Sequence, residues 1–440
     1  MKNMKTKQLL RQVEKYIAKA QYAGLYGIIQ ESARGNVITD VEGEKYLDFF
    51  SAASSVTVGY GREDIINAYA YTAKKLTQSC FIYSPNIETI ELAKKLISIT
   101  PGNFKKKVMF GMSASDSIDG AIKAARKFTQ RKGTIAFHDA YHGNTGLSAQ
   151  ATGFPGIRNG FLSSDDFFFL DFPVTETQSD TCLENAEKYF RTNTIACFII
   201  EPIQGDGGNL VPPEDFYLKL KKLTDKYGVI LIDDEAQSGI GRTGKWWGIE
   251  HFHIAPDILV AGKGITGGYI ALSACIGRSD VINSLEKAQH VFTYSGHPPA
   301  CAVASKILSI IEDEHIMNSV RKNGQFLIDQ LIHLTNTYNE TLHCQVRGIG
   351  LQIGLSIRSN DNTPLAVLFG VRCLEKGLYV GYFGKNNDVL RLHPPLTITK
   401  QEVQRAINIF SEVFEEWKSN KFPTSTFRTY KTQCLGLGKS

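Results

Sequence analysis

The chain has 440 residues, more than one hydrophobic core usually serves, so two domains are expected. Its net charge of +5 is small for that length, and basic runs such as Lys105 to Lys107 are short and carry no interleaved aromatics, which argues against a nucleic-acid partner. Apolar runs such as 195–200 fall far short of the roughly 20 residues of a membrane helix, and the charged N-terminus lacks the apolar segment of a secretory signal, so the reading is a cytoplasmic protein without membrane contact.

In chain order, residues 7–20 carry helix-like apolar spacing, and 36–50 reads as two strands joined at Glu42-Gly43, a hairpin signal. Residues 1–55 are read as an N-terminal segment packing with the smaller domain. From 56 to 315, short apolar runs alternate with helical stretches, at 107–110, 134–139, 167–172, 195–200, 229–234, 257–263 and 273–277. That alternation implies an α/β large domain whose mainly parallel seven-stranded sheet is covered by helices on both faces. A long helix follows Pro298-Pro299 to about Glu314. The pattern then changes: 346–357, 378–383 and 388–393 read as strands around a helix at 365–376, and Thr399 with Glu402 makes a capping box opening a helix at 400–417. Residues 316–420 are thus a smaller α+β domain, and the polar stretch 421–440 reads as an exposed tail. The eight cysteines (Cys80, Cys182, Cys197, Cys275, Cys301, Cys344, Cys373 and Cys434) show no metal spacing and read as reduced, packed thiols. Cys197 falls mid-strand with no adjacent base, a poor nucleophile.

Two residues point to the chemistry. Asp234 ends the apolar run of GVILIDDEAQSG, and Lys263 ends that of PDILVAGKGITGG. Parallel sheets carry their ligands at the carboxyl ends of the strands, so both side chains belong at one site. An amine and a carboxylate converging on one ring is what pyridoxal phosphate requires: the amine forms its Schiff base, and the acid keeps the pyridine nitrogen protonated so that the ring accepts electrons. Either residue alone would be an ordinary loop lysine or strand-end acid. Upstream, Ser113-Ala114-Ser115 precedes a helix running through Ile122 and Arg126, where backbone N–H groups and a hydroxyl can meet a phosphate; a capping motif without a ligand is the plain alternative.

Several blocks occur in order: FGMSASDSIDGAIKAAR, AYHGNTGLSA, EPIQGDGG, LIDDEAQSGIGRTGKWW, PDILVAGKGITGG, FTYSGHPPACA and VLRLHPPLTIT. In them the chain resembles the class III aminotransferase family of fold type I pyridoxal phosphate enzymes, over nearly its full length. The resemblance makes Lys263 the Schiff-base lysine and Asp234 the partner of the pyridine nitrogen. It places Tyr141 on the face of the cofactor ring, followed by His142 and Gly143. Ser113, Ala114 and Ser115 match the phosphate cup, with Ala114 where the family has glycine, and Glu201, Ala236 and Gln237 fall among the cofactor's surroundings. Thr293 matches a residue that reaches the phosphate of the partner subunit, which implies a homodimer, or a tetramer built from dimers. Arg391 matches the arginine that takes the substrate's α-carboxylate with its guanidinium fork, favouring an α-amino acid, a small-molecule substrate, over a simple amine.

Both reactions open to this family begin with Lys263 removing the substrate's Cα proton. A transaminase then delivers that proton to the cofactor, whereas a racemase returns one to the opposite face of Cα and so needs a second acid/base group. EPIQGDGG supplies a candidate in Asp206, where most aminotransferases of the family carry glutamate. In that block, in Ser115-Asp116 and around Arg391, the chain resembles the racemase branch, which includes isoleucine 2-epimerase and α-amino-ε-caprolactam racemase. Asp206, one methylene shorter than glutamate, is expected to serve Cα rather than bridge to Arg391. The reading is a racemase or epimerase of nonpolar amino acids, with a transaminase as the alternative and a catalytically silent binding protein as a third. Tyr22, Tyr26, Tyr83 and Tyr141 are candidates for shaping an apolar substrate pocket.

Overall fold

The computed structural model describes residues 4–22, 27–160 and 165–430. All seven apolar runs enter one sheet, made of β4 (Lys106–Gly111), β5 (Gly133–Phe137), β6 (Phe167–Leu170), β7 (Ile195–Ile200), β8 (Ile230–Asp234), β9 (Ile258–Ala261) and β10 (Ser273–Arg278), in the order β4-β10-β9-β8-β7-β5-β6. From β9 to β6 every pairing is parallel, and β10 runs antiparallel between β4 and β9. Every residue of β7 and β8 is buried, which is why both read as unbroken apolar runs instead of alternating ones. The β8–β9 register pairs Asp234 with Val260, so the carboxyl ends of the two strands lie side by side.

Three strands precede this sheet: β1 (Gln30–Arg34), which the sequence reading missed, and the hairpin β2 (Val37–Asp40) and β3 (Lys45–Asp48), which turns where Gly43 takes a φ of +84°. Beyond the helix Ile316–Asn336 a second sheet forms from β11 (Leu342–Ile349), β12 (Gln352–Ser359), β15 (Val389–Leu392) and β14 (Gly381–Phe383), in that order. The short β13 (Leu378–Tyr379) pairs in parallel with β3 and ties the N-terminal strands to this part of the fold. The helix Lys400–Lys418 opens on the expected capping box, Thr399 with Glu402.

The tail is corrected in part. Residues 424–429 form a helix, Thr426 is buried, and Phe422 packs against Phe369 and Trp417 at centroid distances of 5.5 and 5.6 Å. Polar composition over 421–440 hid the packing of Phe422 against the smaller domain. Residues 431–440, with Cys434, lie outside the described residues. The other seven cysteines are free thiols, and burial pushes the Cys197 thiol up to about 11, which keeps it protonated and unreactive. No described helix is long and apolar enough to cross a membrane.

Candidate active site

A cavity of about 400 Å³ opens at the carboxyl ends of β8 and β9, with Lys263, Asp234, Tyr141 and Ser115 in its walls. Asp234 is the last residue of β8 and 5% exposed; Lys263 follows β9, with Gly262 between, and takes a φ of +40°. A non-glycine residue held in the left-handed region is costly and persists where its surroundings enforce it, a pattern common at functional sites. One Asp234 oxygen accepts from the Ala236 amide at 3.1 Å and the other meets His142 Nδ1 at 2.8 Å, deep in the fold. His142 therefore fixes which way the acid faces, while its Nε2 is buried with no partner among the described residues.

The helix Ala114–Thr129 starts at the cavity. Ser113 is its N-cap in a reciprocal capping box with Asp116, so the Ser113 hydroxyl serves the helix, while the leading N–H groups at Ala114 and Ser115 have no preceding turn to bond to. The methyl of Ala114 is accommodated by a glycine elsewhere: a Cβ at Gly262 would lie 2.8 Å from Ala114 Cβ. Gly143 is needed for a similar reason, since a Cβ there would fall 2.3 Å from Ser115 Oγ, and its φ is +135°.

Glu201 stands behind the wall, not in it. Its two oxygens accept from the Tyr141 amide at 2.9 Å and the Gly205 amide at 2.6 Å, so it ties the Tyr141 loop to the Gly205–Gly208 loop. Burial pushes its carboxyl up to about 7. With both oxygens on backbone amides it positions the two loops.

Asp206 differs from its expected geometry. It bonds Arg391 Nη2, with Gln237 Nε2 more distant at 3.5 Å. Aspartate is long enough to bridge because β15 brings Arg391, 1% exposed, directly against the loop. Burial acts to raise the Asp206 carboxyl, but the charges of Arg391 and Lys263 prevail and hold it below the usual carboxylate value. The Nε of Arg391 is buried without a partner among the described residues. Since Nε–H and the Nη2 on its side form one fork, Asp206 occupies half of a two-pronged donor.

Thr293 is exposed and absent from the walls of its own chain's cavity, where Met112, Thr266 and Leu272 also contribute. Of the tyrosines named for the pocket, Tyr141 is the one among the described residues that lines this cavity; Tyr83 is 85% exposed, Tyr22 is not in the walls, and Tyr26 falls outside the described residues. Sequence reading missed three features. Phe383 stacks on Arg391; no motif marks it, though its spacing from Gly381 on β14 places both on one face. His393, wholly buried, joins Ser54 Oγ at 2.6 Å to Asn209 Oδ1 at 3.2 Å. Finally, Ser51, Ala52, Ala53 and Ser54 all have positive φ, a left-handed run without a glycine to advertise it.

The sequence family described as Aminotransferase class-III matches residues 17–414. The chain belongs to this family. It is 32% identical to a leucine/methionine racemase of Thermococcus litoralis, over 92% of this chain and 94% of that protein. It is equally 32% identical to a 4-aminobutyrate aminotransferase of Escherichia coli K12, over 90% of this chain and 95% of that one. A solved transaminase from the marine bacterium Virgibacillus superposes with a TM-score of 0.86 at 28% identity, covering 94% of this chain and 99% of the other. The fold is accordingly fold type I, and the protein is a class III enzyme that uses pyridoxal phosphate. The residues present fit that cofactor: an amine and a buried, oriented acid share one cavity, a helix N-terminus faces it, and Gly143 and Gly262 leave room where side chains would intrude.

Proposed function

We propose that the enzyme is a racemase or epimerase of nonpolar amino acids, with Lys263 and Asp206 as the two acid/base groups on opposite sides of Cα. Once bound, pyridoxal phosphate supplies the electron sink that acidifies the Cα proton. Asp234, oriented by His142, holds the pyridine nitrogen; Tyr141 covers the ring; the first amides of the Ala114–Thr129 helix, with Ser115, take the phosphate. Lys263 anchors the cofactor and moves the Cα proton on one face. Ala236 stands in the wall beside Asp234, and Gln237 next to it reaches toward Asp206.

The observation that carries the proposal is the half-used fork of Arg391. An α-carboxylate that engages both Nε and Nη2 makes two parallel charge-assisted bonds where Asp206 makes one, and so displaces it. Asp206 then loses the larger of the two charges that hold its carboxyl down, while its burial remains, so its proton affinity rises. Substrate binding thus arms the second base. The leucine/methionine racemase among the relatives supports nonpolar side chains. The aminotransferase reading has its own support, because an aspartate bound to Arg391 can also act purely as a gate for the carboxylate site.

A homodimer is part of this reading, supported by exposed apolar side chains at Tyr83, Ile87, Val291 and Tyr294; Thr293 stands between the last two in sequence and accepts from Gln78 through its carbonyl. A second copy covering this belt would bring Thr293 to the partner's phosphate site. Incubation of one pure enantiomer without a keto acid tests the reaction: the mirror-image or epimeric product is expected, and amine transfer alone, seen only when a keto acid is added, would make the enzyme a transaminase.

A further inference from the structure

We propose that Phe383 is a specificity-determining residue: by stacking on the face of Arg391 it holds the guanidinium in place while the acidic partner changes, and so restricts the site to substrates with a free carboxylate on Cα. This rests on the reading of Arg391 as the carboxylate receptor.

Arg391 stands on β15 between two residues without side chains, Gly354 of β12 and Gly381 of β14. Neither glycine is empty of consequence. A Cβ at Gly381 would lie 2.6 Å from the Phe50 ring and 2.9 Å from the Phe383 ring, so the space beside Arg391 is given over to these two aromatics. The Phe383 centroid is 3.2 Å from the guanidinium carbon. Behind it, Phe50 stacks on Phe383 at 6.2 Å with an interplanar angle of 20°, and Tyr379 meets Phe50 edge-on at 5.6 Å. Phe383 reaches Arg391 as a diagonal cross-strand neighbour, since Gly381 is its direct partner.

The stack and the ion pair use different parts of one group. A ring attracts the flat face of the guanidinium, whereas carboxylates bond its edge. Exchange of Asp206 for a substrate carboxylate therefore leaves the stack intact, and Arg391 is kept from following Asp206 out of the cavity. An amine without a carboxylate has nothing to offer the fork, so Asp206 stays bound and the second base stays unarmed.

Calorimetric titration of the cofactor-loaded enzyme with isocaproate, a branched carboxylate that has no amine and cannot react, reads this role directly. Phe383→Met keeps the bulk and removes the π face; its Kd is expected to weaken about tenfold, and Phe383→Tyr to stay within about threefold of wild type. With a single-enantiomer amino acid, KM should rise in parallel for the Met variant while kcat changes little. Equal isocaproate affinity in wild type and Phe383→Met would overturn the proposal. Should that variant not fold, Phe50→Leu removes only the backing ring, and a loss of about threefold is expected, with unchanged affinity again overturning it. Arg391→Gln separates the two readings. If it abolishes isocaproate binding in an enzyme that inverts nothing, the racemase reading fails and Phe383 keeps its role; if it leaves binding intact, the receptor reading fails and takes this inference with it.

Discussion

The two sides of the site, the cavity walls and the Asp206–Arg391 pair beyond them, are built differently. The cofactor side consists of strand ends and one helix start, with Asp234 closing β8, Lys263 just beyond β9 and Ser113 capping the helix, all fixed by the large sheet. The substrate side depends on one ion pair between Asp206 and Arg391, residues 185 apart in sequence, packed under Phe383 and tied by Glu201 to the Tyr141 loop. On the proposed reading the first arrangement needs no partner to change, whereas the second exchanges a carboxylate when substrate binds, so that chemistry common to the family belongs to the first and the choice of reaction to the second.

Substitutions should separate the two sides. The largest effect is expected for Lys263→Ala, which should lower turnover at least about 10³-fold and remove the visible absorbance of the attached cofactor; undiminished turnover would break the assignment of the cofactor side. Arg391→Gln should raise KM for an α-amino acid about 100-fold while cofactor affinity holds, because two charge-assisted bonds are lost on the substrate side alone. Equal losses in cofactor and substrate affinity would mean that the sides are not separable.

How far each side was legible in the sequence follows the same division. A strand ending in an acid or followed by a lysine announces its position through apolar run and breaker, so Asp234 and Lys263 could be placed before any fold was known. Asp206 could be found by its motif, but its bond to Arg391 could not, since it depends on how β15 meets the Gly205–Gly208 loop. Phe383 lies outside the motif blocks and meets Arg391 through sheet register, whereas His393 lies within VLRLHPPLTIT but its bonds to Ser54 and Asn209 depend on how distant segments pack. Glu201 could be found by its motif, which does not reveal that both its oxygens turn to backbone amides.

Smaller effects refine the cofactor side. His142→Phe removes the donor that orients Asp234, and cofactor affinity followed by dialysis and absorbance should weaken about tenfold, with turnover at saturating cofactor less affected. Flanking Asp234, the buried Asp233 and Glu235 both have raised carboxyls, chiefly from burial, Glu235 to about 8. Folding therefore favours their protonated forms: this contribution is complete below the ordinary carboxylate value and is lost as pH rises through about 8. Thermal unfolding should show a midpoint falling from the ordinary carboxylate value, about pH 4.5, to about pH 8, and Asp233→Asn, which removes the neighbouring acid, should make that fall shallower. A steeper fall in the variant would contradict the account.

The most direct test of the two-sided site is inversion in heavy water without a keto acid, comparing wild type with Asp206→Asn. The account predicts that wild type yields the opposite configuration at Cα with deuterium incorporated there, and that the variant, cofactor absorbance intact, exchanges the Cα proton through Lys263 without inverting the centre. Inversion by Asp206→Asn at the wild-type rate would contradict it.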